Sequence, residues 1–425
     1  MRVTTMGKRR VFYGWYIVAA CVLVAGAGIG FHNTAGIFLR PVTEDLGFSR
    51  GEFTFFRTIS AIISVLVLPV YGRMARQYSI KKIMFIGTSV NALSLAAYSL
   101  CTDIWHFYLL AVINGLVVGA GNFMIIGILV SRWFEDKNGL ALGIAYAGSG
   151  LGAAVMNPMA NYVIHNFGWR WAFAFSGIIS LVVLIPAILI MIKDTPESMG
   201  LQPYRTGNLS NLSPQAPEND GVAFRTARRT PIFWLLALSL LGLSISASAP
   251  TAHTPAHLGD LGYSAGTISA VVALCMVFLT LGKILMGYIF DRFGTIVGGV
   301  ALGVFAILSP TFALLALYPA APWLHTIFLG LASTGFSLAV NIYASKFFGK
   351  KDFPAIISSL SVVTALGIAL SPTLMGLIYD FLGSYDAAWI ILIIIGFVVM
   401  SCLLCCERLH KLIKIRGNSC ATENN

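Results

Sequence analysis

Long apolar stretches dominate this 425-residue sequence. A helix needs about 20 mainly apolar residues to cross the hydrocarbon core of a bilayer. Only helices and closed barrels satisfy their backbone hydrogen bonds in lipid. The sequence therefore predicts an all-α integral membrane protein with twelve transmembrane helices in two pseudo-symmetric six-helix bundles. The predicted spans cover residues 14–39, 53–73, 81–101, 104–131, 138–165, 170–193, 231–257, 265–290, 295–318, 322–346, 354–380 and 386–407.

Composition excludes several classes of protein. Charged residues make up 11% of the chain and apolar residues 57%, with a mean hydropathy of +0.82. A soluble domain carries about 25% charged residues, so a soluble enzyme or a disordered chain is excluded. No catalytic constellation or nucleotide-binding loop is present, and we predict neither an enzyme nor a cofactor. The net charge of +11 is scattered in short clusters between spans, which argues against nucleic-acid binding.

The basic residues predict the orientation in the membrane. If the N-terminus is cytoplasmic, 23 of the 28 Lys and Arg residues fall in cytoplasmic segments and three in outer segments, while Arg57 and Lys283 lie within spans. This asymmetry follows the positive-inside rule. It predicts a multi-pass protein of the plasma or inner membrane with both termini in the cytoplasm. The first apolar stretch is long enough to span, so we interpret it as a helix rather than a signal peptide.

A polar stretch over residues 194–230 divides the sequence. We predict a six-helix bundle over 1–193, a cytoplasmic linker over 194–230 and a second bundle with a short cytoplasmic tail over 231–425. The halves repeat at an offset of about 215 residues, since DLGFS at 45–49 corresponds to DLGYS at 260–264 and Gly72 to Gly287. Paired halves are typical of secondary transporters with a central binding site.

These features resemble the major facilitator superfamily. Its loop signature, G-x-x-x-D-R-x-G, lies between spans 8 and 9 and consists of Gly287, Asp291, Arg292 and Gly294. The copy in the first half keeps Gly72 but has Arg76 in place of the acid and Gln77 in place of the base. The resemblance implies a role in gating for the signature residues that are present, whereas the altered first-half copy does not support a charge-relay gate on its side.

Shorter motifs resemble the branch that contains monocarboxylate transporters and oxalate:formate antiporters. They are YGW at 13–15, RWF at 132–134, GLALG at 139–143, GWRW at 168–171 and TPESMGL at 195–201. The resemblance implies a carrier of small organic monoanions such as lactate, pyruvate or formate, coupled to protons or to a second anion. From the short polar tails we expect the carrier to work alone, as a monomer. An exporter of larger amphiphilic compounds on the same fold is the alternative.

Lys283 is the main candidate for the substrate site. Charge inside a membrane is costly and usually functional, and in this branch an arginine at the equivalent place binds the substrate carboxylate. The lysine keeps the charge but lacks the two-pronged geometry of a guanidinium. A lysine that extends to the membrane surface is the alternative. In the oxalate carriers that this branch resembles, a second cation in span 11 helps to hold the substrate, whereas residues 353–379 of this sequence contain no Lys or Arg. The resemblance therefore implies a single carboxylate rather than a dicarboxylate.

Other polar residues within the predicted spans complete the candidate site. The predicted substrate-binding residues besides Lys283 are Asn33, Asn122, Tyr146, Asn341 and Tyr343. The candidates for proton coupling are His32, His253 and His257. Hydrogen bonding between helices is the structural alternative for all of them. His253 and His257 lack the glutamate of H-E-x-x-H and surround Pro255, so we predict no metal site.

Arg57 has no counterpart in the family pattern. It lies in span 2, toward the predicted outer side. Pairing with Glu52 or Glu44 and attraction of anions from outside are the two interpretations.

Overall fold

The computed structural model describes residues 12–29, 35–121, 123–205 and 221–422. The described residues contain no β-strand, and their long helices are numbered in chain order. The first half contains α1 (Gly14–Val24), α2 (Arg50–Gln77), α3 (Ile80–Ala97), α4 (Ile104–Val117 and Phe123–Trp133), α5 (Asn138–Phe167) and α6 (Trp169–Pro186). The second half contains α7 (Pro231–Asp260), α8 and α9 (the helix Ala265–Leu314, divided at Gly294), α10 (Ala321–Ala332 and Gly335–Phe348), α11 (Phe353–Leu382) and α12 (Asp386–Thr422).

The apolar stretches form helices as predicted. Ten described helices are long and apolar enough to cross a membrane, and Gly14–Gly28 is a shorter apolar helix. One of the ten, over 266–314, contains two predicted spans. Gly294 divides it, because its φ of 81° lies in the left-handed region that glycine tolerates best. The prediction of an all-α membrane protein is confirmed.

Two predicted spans are less regular than expected. In the predicted span over 14–39, α1 passes into a π-helix at Ala25–Ile29, and a 3-10 turn lies at Ala35–Phe38. Likewise, α4 contains a 3-10 turn at Val118–Gly121. Both interruptions are rich in glycine, which favours the α-helix least among residues other than proline.

The two halves share one core on one side of the molecule and separate on the other. We call the side that carries the loop between α6 and α7 the linker face. The largest buried apolar cluster lies toward this face and includes residues of both halves, such as Trp133 and Tyr343. Toward the opposite face, the described residues form separate clusters, one in the first half around Phe107 and two in the second half around Trp389 and Leu258.

The ends of the predicted linker are attached to different halves. At its start, Tyr204 N–H donates to Trp133 O over 2.9 Å, and the Tyr204 ring packs on Phe134. At its end, Val222 N–H donates to Phe348 O over 2.8 Å. Each end therefore packs as part of the bundle next to it.

Candidate functional site

Lys283 is buried where the two halves meet. It lies on α8 in the second half, and only 2% of its surface is exposed. It precedes Asp291 at the linker face by eight positions, a rise of about 12 Å along a helix. The ammonium group therefore lies inside the molecule and does not extend to the membrane surface.

The contacts of the Lys283 ammonium group come from the first half. Nζ donates to Ser149 Oγ over 2.7 Å and to Tyr146 O over 3.1 Å, both on α5. It also lies 5.0 Å from the centre of the Phe123 ring on α4, close enough for a cation–π interaction. A single side chain of the second half is thus held by two helices of the first half.

Tyr146 and Asn341 extend this group across the interface. Asn341 on α10 donates from Nδ2 to Tyr146 Oη over 2.8 Å, and Tyr146 Oη donates to Phe123 O over 2.7 Å. Asn341 is 1% exposed, and its buried Oδ1 has no hydrogen-bond partner among the described residues. A buried acceptor without a donor is costly, so Asn341 is able to accept a hydrogen bond from a bound molecule.

The charge of Lys283 is not balanced by protein carboxylates in the described part of the chain. Its recorded contacts are a hydroxyl, a carbonyl and an aromatic ring, all of them neutral. A buried ion without a counter-ion is costly by several kcal/mol. The site is therefore electrostatically complementary to a small anion.

Close packing of α5 on α8 encloses this site on the linker side. A Cβ added to Gly139 would lie 2.6 Å from Gly287 O, and one added to Gly143 would collide with Lys283 O. The repeat places a matching contact between α2 and α11, where a Cβ on Gly72 would lie 2.9 Å from Pro354 O. Glycine at these positions allows the two halves to meet closely.

The loop signature adds polar contacts between the halves. Asp291 accepts hydrogen bonds from Gly139 N–H over 2.8 Å and from Leu140 N–H over 2.7 Å. It thereby caps the first turn of α5, where a negative charge is favourable. Arg292 is exposed next to it. Of the signature residues, Asp291 and Gly287 contact the first half directly.

The degraded copy of the signature forms an ion pair instead. Arg76 takes the place that Asp291 has in the second half, and its Nη2 lies 3.0 Å from Asp352 Oδ1 at the start of α11. Lys350 also pairs with Glu135 across the halves, over 2.8 Å. Sequence reasoning missed these pairs, although an arginine in an acidic position predicts an acid opposite it. All recorded polar contacts between described residues of the two halves lie at the linker face or at the Lys283 site.

The structure does not bring Tyr343 to the Lys283 contacts. Its ring is fully buried, and its hydroxyl donates to Thr295 O over 2.7 Å within the second half. Thr295 also contacts Lys346 and Glu407, which form an ion pair over 2.7 Å. Tyr343 thus supports the packing of α9, α10 and α12.

Two of the three predicted histidines, His253 and His257, lie toward the opposite face. His253 Nε2 is 2.8 Å from Pro372 O, and His257 Nε2 is 3.1 Å from Ala313 O. His325 lies near them, 2.9 Å from Thr254 Oγ1. Sequence reasoning missed His325, although it meets the same criterion of a histidine within a predicted span. His32, Asn33 and Asn122 lie outside the described residues.

Comparison with known proteins identifies the family. The profile of the Major Facilitator Superfamily matches residues 18–329. The chain belongs to the major facilitator superfamily. This membership confirms the resemblance inferred from the loop signature, and it establishes the protein as a membrane transporter and not an enzyme.

Curated relatives of this major facilitator protein include monocarboxylate transporters. Monocarboxylate transporter 11 of Mus musculus is 24% identical over 404 residues, which cover 89% of this chain and 84% of the relative. Monocarboxylate transporter 12 of Xenopus laevis is 22% identical over 428 residues, which cover 96% of this chain and 91% of the relative. The resemblance to the monocarboxylate-transporter branch is confirmed at low identity.

Solved structures share the fold of this major facilitator protein. The fucose:proton symporter of E. coli superimposes with a TM-score of 0.71 at 14% identity, covering 93% of this chain and 99% of the symporter. The proton:xylose symporter XylE gives a TM-score of 0.71 at 13% identity, covering 92% of this chain and 94% of the symporter. The prediction of two six-helix bundles is confirmed by this likeness.

Proposed function

We propose that this protein transports a small organic monoanion, such as lactate, pyruvate or formate, by alternating access. The observation that carries the proposal is the ammonium group of Lys283, which is buried between the halves and contacts only neutral groups among the described residues. A carboxylate would supply the missing negative charge. The names of the curated relatives support this substrate class.

The geometry around Lys283 suggests how binding is linked to movement. Its hydrogen bonds join α8 to α5, so a carboxylate that takes over the ammonium group competes with a contact between the halves. Release of that contact would allow the halves to rock. The linker face is closed in this structure, and we assign it to the cytoplasm because the basic loops lie on that side.

Uptake into proteoliposomes tests the proposal. Radiolabelled lactate, pyruvate and formate are offered to vesicles that contain the purified protein, with or without an inward proton gradient. Gradient-driven uptake indicates proton symport, whereas exchange with unlabelled anion inside indicates antiport. If no monocarboxylate moves under either condition while amphiphilic dyes leave loaded vesicles, the alternative of an exporter is correct.

We expect Asp291→Ala to favour opening of the linker face. Loss of a helix-capping side chain costs about 0.5–2 kcal/mol, which shifts the equilibrium roughly two- to thirtyfold. Distances between spin labels at Gln77 and Lys351, which are both exposed at the linker face, would report the change. Asp386→Ala removes an acid from the first turn of α12 and should leave the distances unchanged. Equal distances in Asp291→Ala and the wild type would contradict the role of Asp291 in closure.

Closure of the linker face should also weaken in acid. Partial burial raises the pKa of Glu135, but hydrogen bonds from Arg205 and Lys350 outweigh burial and lower the pKa below its ordinary value of 4.5. A lowered pKa contributes stability that is present above the ordinary value and is lost as pH falls through the lowered value. The same spin labels should therefore separate more in acid. Because the ion pairs of Glu135 are exposed, Glu135→Gln should weaken closure by only about 0.2–1 kcal/mol. If Glu135→Gln responds to pH as the wild type does, Glu135 is not the group that titrates.

Two tyrosine substitutions should separate binding from packing. Tyr146→Phe removes the hydroxyl that links Phe123 to Asn341, and we expect a higher KM for the anion. Tyr343→Phe removes a bond to Thr295 O, and we expect a loss of about 0.5–1.5 kcal/mol in stability with an unchanged KM. Thermal unfolding and uptake kinetics measure both. A raised KM in Tyr343→Phe alone would return Tyr343 to the binding site.

A further inference from the structure

His325 lies inside the second half, away from the Lys283 site. It follows the start of α10 by four residues, toward the face opposite the linker face, and only 2% of its surface is exposed. Its ring contacts three other helices of the same half. They are α7 through Thr254, α9 through Ser309 and α12 through the ring of Trp389. His325 therefore joins four helices of this bundle.

Both nitrogens of the His325 ring face oxygen atoms. Nδ1 lies 2.8 Å from Ser309 O, and Nε2 lies 2.9 Å from Thr254 Oγ1. The Thr254 hydroxyl in turn lies 2.6 Å from Pro250 O. A backbone carbonyl only accepts hydrogen bonds, so this series begins and ends at an acceptor. Its three hydrogen bonds therefore need three hydrogens.

A neutral ring leaves this series one hydrogen short. Neutral imidazole carries one N–H and the Thr254 hydroxyl one O–H, whereas a protonated ring carries two N–H groups and supplies the third hydrogen. In a neutral ring, Nδ1 can accept from Ser309 Oγ, which lies 3.1 Å away. It then faces Ser309 O with no hydrogen between the two atoms. The hydrogen-bond geometry therefore favours the protonated ring.

The two histidines of α7 are placed differently. His253 Nε2 lies 2.8 Å from Pro372 O, but its Nδ1 lies 3.2 Å from the Tyr385 hydroxyl, which is able to donate. The recorded hydrogen bond of His257 joins its Nε2 to a backbone carbonyl of α9. A neutral ring satisfies each of these arrangements. Of these three histidines, His325 is the one held between acceptors at both nitrogens.

The surroundings of His325 allow a proton to be both held and released. The centres of the His325 and Trp389 rings lie 5.5 Å apart, close enough for a cation–π interaction. The titratable groups around the ring are His257 on α7 and, beyond Trp389, Tyr385 on α12. No acid of the described residues has a recorded contact with the ring, and burial without a counter-ion opposes the charge. The acceptors hold the proton, and the lack of a fixed partner lets it leave.

We propose that His325 binds the proton that accompanies the transported anion. The proton adds to a nitrogen of the neutral ring in the conformation described here, and movement of α7 or α9 relative to α10 breaks the series and releases it. One proton and one monoanion together carry no net charge. The two sites share α10, because Asn341 on this helix bonds to Tyr146 beside Lys283. Proton binding stands on the contacts of His325, whereas its part in transport rests on the proposed function.

Two substitutions in the series should shift proton binding in opposite directions. Thr254→Val keeps the shape of the side chain but removes the acceptor of Nε2–H, so half-protonation of His325 should move to a pH lower by about one to two units. Ser309→Ala keeps the carbonyl but removes the hydroxyl that can donate to the neutral ring, so half-protonation should move to a higher pH. Ser176→Ala, which removes a buried hydroxyl from α6, is the control and should cause no shift.

Nitrogen NMR of the protein with isotopically labelled histidine measures this protonation. The signals of His325 are those that disappear in His325→Gln. If that variant does not fold, the histidine signals that Thr254→Val and Ser309→Ala shift in opposite directions identify the ring. A ring that stays neutral over the whole pH range in which the protein is folded would overturn the proposal, and so would equal titrations in the wild type, Thr254→Val and Ser309→Ala.

Transport assays test whether this proton is the coupled one. In proteoliposomes, His325→Gln should lose lactate uptake driven by a proton gradient but keep exchange of labelled for unlabelled lactate, because exchange needs no net movement of protons. His165→Gln, at an exposed position near the end of α5, should keep both. Wild-type gradient-driven uptake by His325→Gln would overturn the coupling. If the wild type moves no monocarboxylate, the proposed function fails, while the NMR titration still decides whether His325 binds a proton.

Discussion

Lys283→Met is expected to abolish measurable uptake of small carboxylates. Methionine is close to lysine in length and replaces its apolar stem, but it removes the charge that α8 places against α5. Removal of one partner from a buried charge pair costs about 2–5 kcal/mol, which corresponds to a loss of roughly 30-fold to several thousand-fold in affinity. Uptake of radiolabelled lactate or formate into proteoliposomes measures the loss.

The control for this experiment keeps the charge. Lys283→Arg retains a positive group at the same place and offers the two-pronged geometry that suits a carboxylate. We expect this variant to keep part of the uptake, reduced because a larger side chain must fit a site that is 2% exposed in the wild type. Wild-type uptake by Lys283→Met, with the protein folded and inserted, would contradict the assignment of Lys283.

Gly143→Ala should have the second largest effect. The added methyl group would collide with the backbone of Lys283 and force α5 away from α8. Overpacking costs about 1–3 kcal/mol, which corresponds to roughly a 5- to 150-fold shift toward an open linker face. We expect the spin-label distance between Gln77 and Lys351 to widen and uptake to fall, because a carrier must reach both of its conformations.

Gly376→Ala on α11 is the matched control for this substitution. Its added Cβ would lie 3.5 Å from His253, which is an ordinary contact. We expect uptake and label distances close to those of the wild type. Normal uptake and an unchanged distance in Gly143→Ala would show that the halves do not close through this contact.

Much of the fold was predictable because lipid leaves few choices. A stretch of about 20 apolar residues in lipid must be helical to satisfy its backbone hydrogen bonds. The sequence repeat then indicates which helices of the two halves correspond. Composition alone could not show where a helix changes its winding. The π-helix at Ala25–Ile29 and the turn at Val118–Gly121 depend on how neighbouring helices pack. A Cβ at Gly119, for example, would lie 2.6 Å from the Tyr71 ring.

The candidate site was predictable only in part, for a geometric reason. The structure brings Lys283, Tyr146 and Asn341 into one hydrogen-bonded group. Tyr343 follows Asn341 by two residues, and such residues lie on nearly opposite sides of a helix. The face of α10 that places Asn341 next to Tyr146 therefore cannot also place Tyr343 there.

Contacts between helices distant in sequence were the hardest to predict. Ser149 lies one helical turn from Tyr146 on α5, but its bond to Lys283 requires knowledge of which face of α5 meets α8. The same holds for the ion pair of Arg76 with Asp352, which joins α2 to the start of α11. The sequence repeat can suggest such a pair only when the equivalent contact in the other half is already known from a structure.

Equilibrium binding of a radiolabelled monocarboxylate to the purified protein tests the role of Lys283 most directly, because it requires no movement of the halves. The assignment predicts saturable binding to the wild type, weaker but measurable binding to Lys283→Arg, and no saturable binding to folded Lys283→Met. Binding to Lys283→Met with the Kd of the wild type would contradict the proposal that this ammonium group holds the substrate carboxylate.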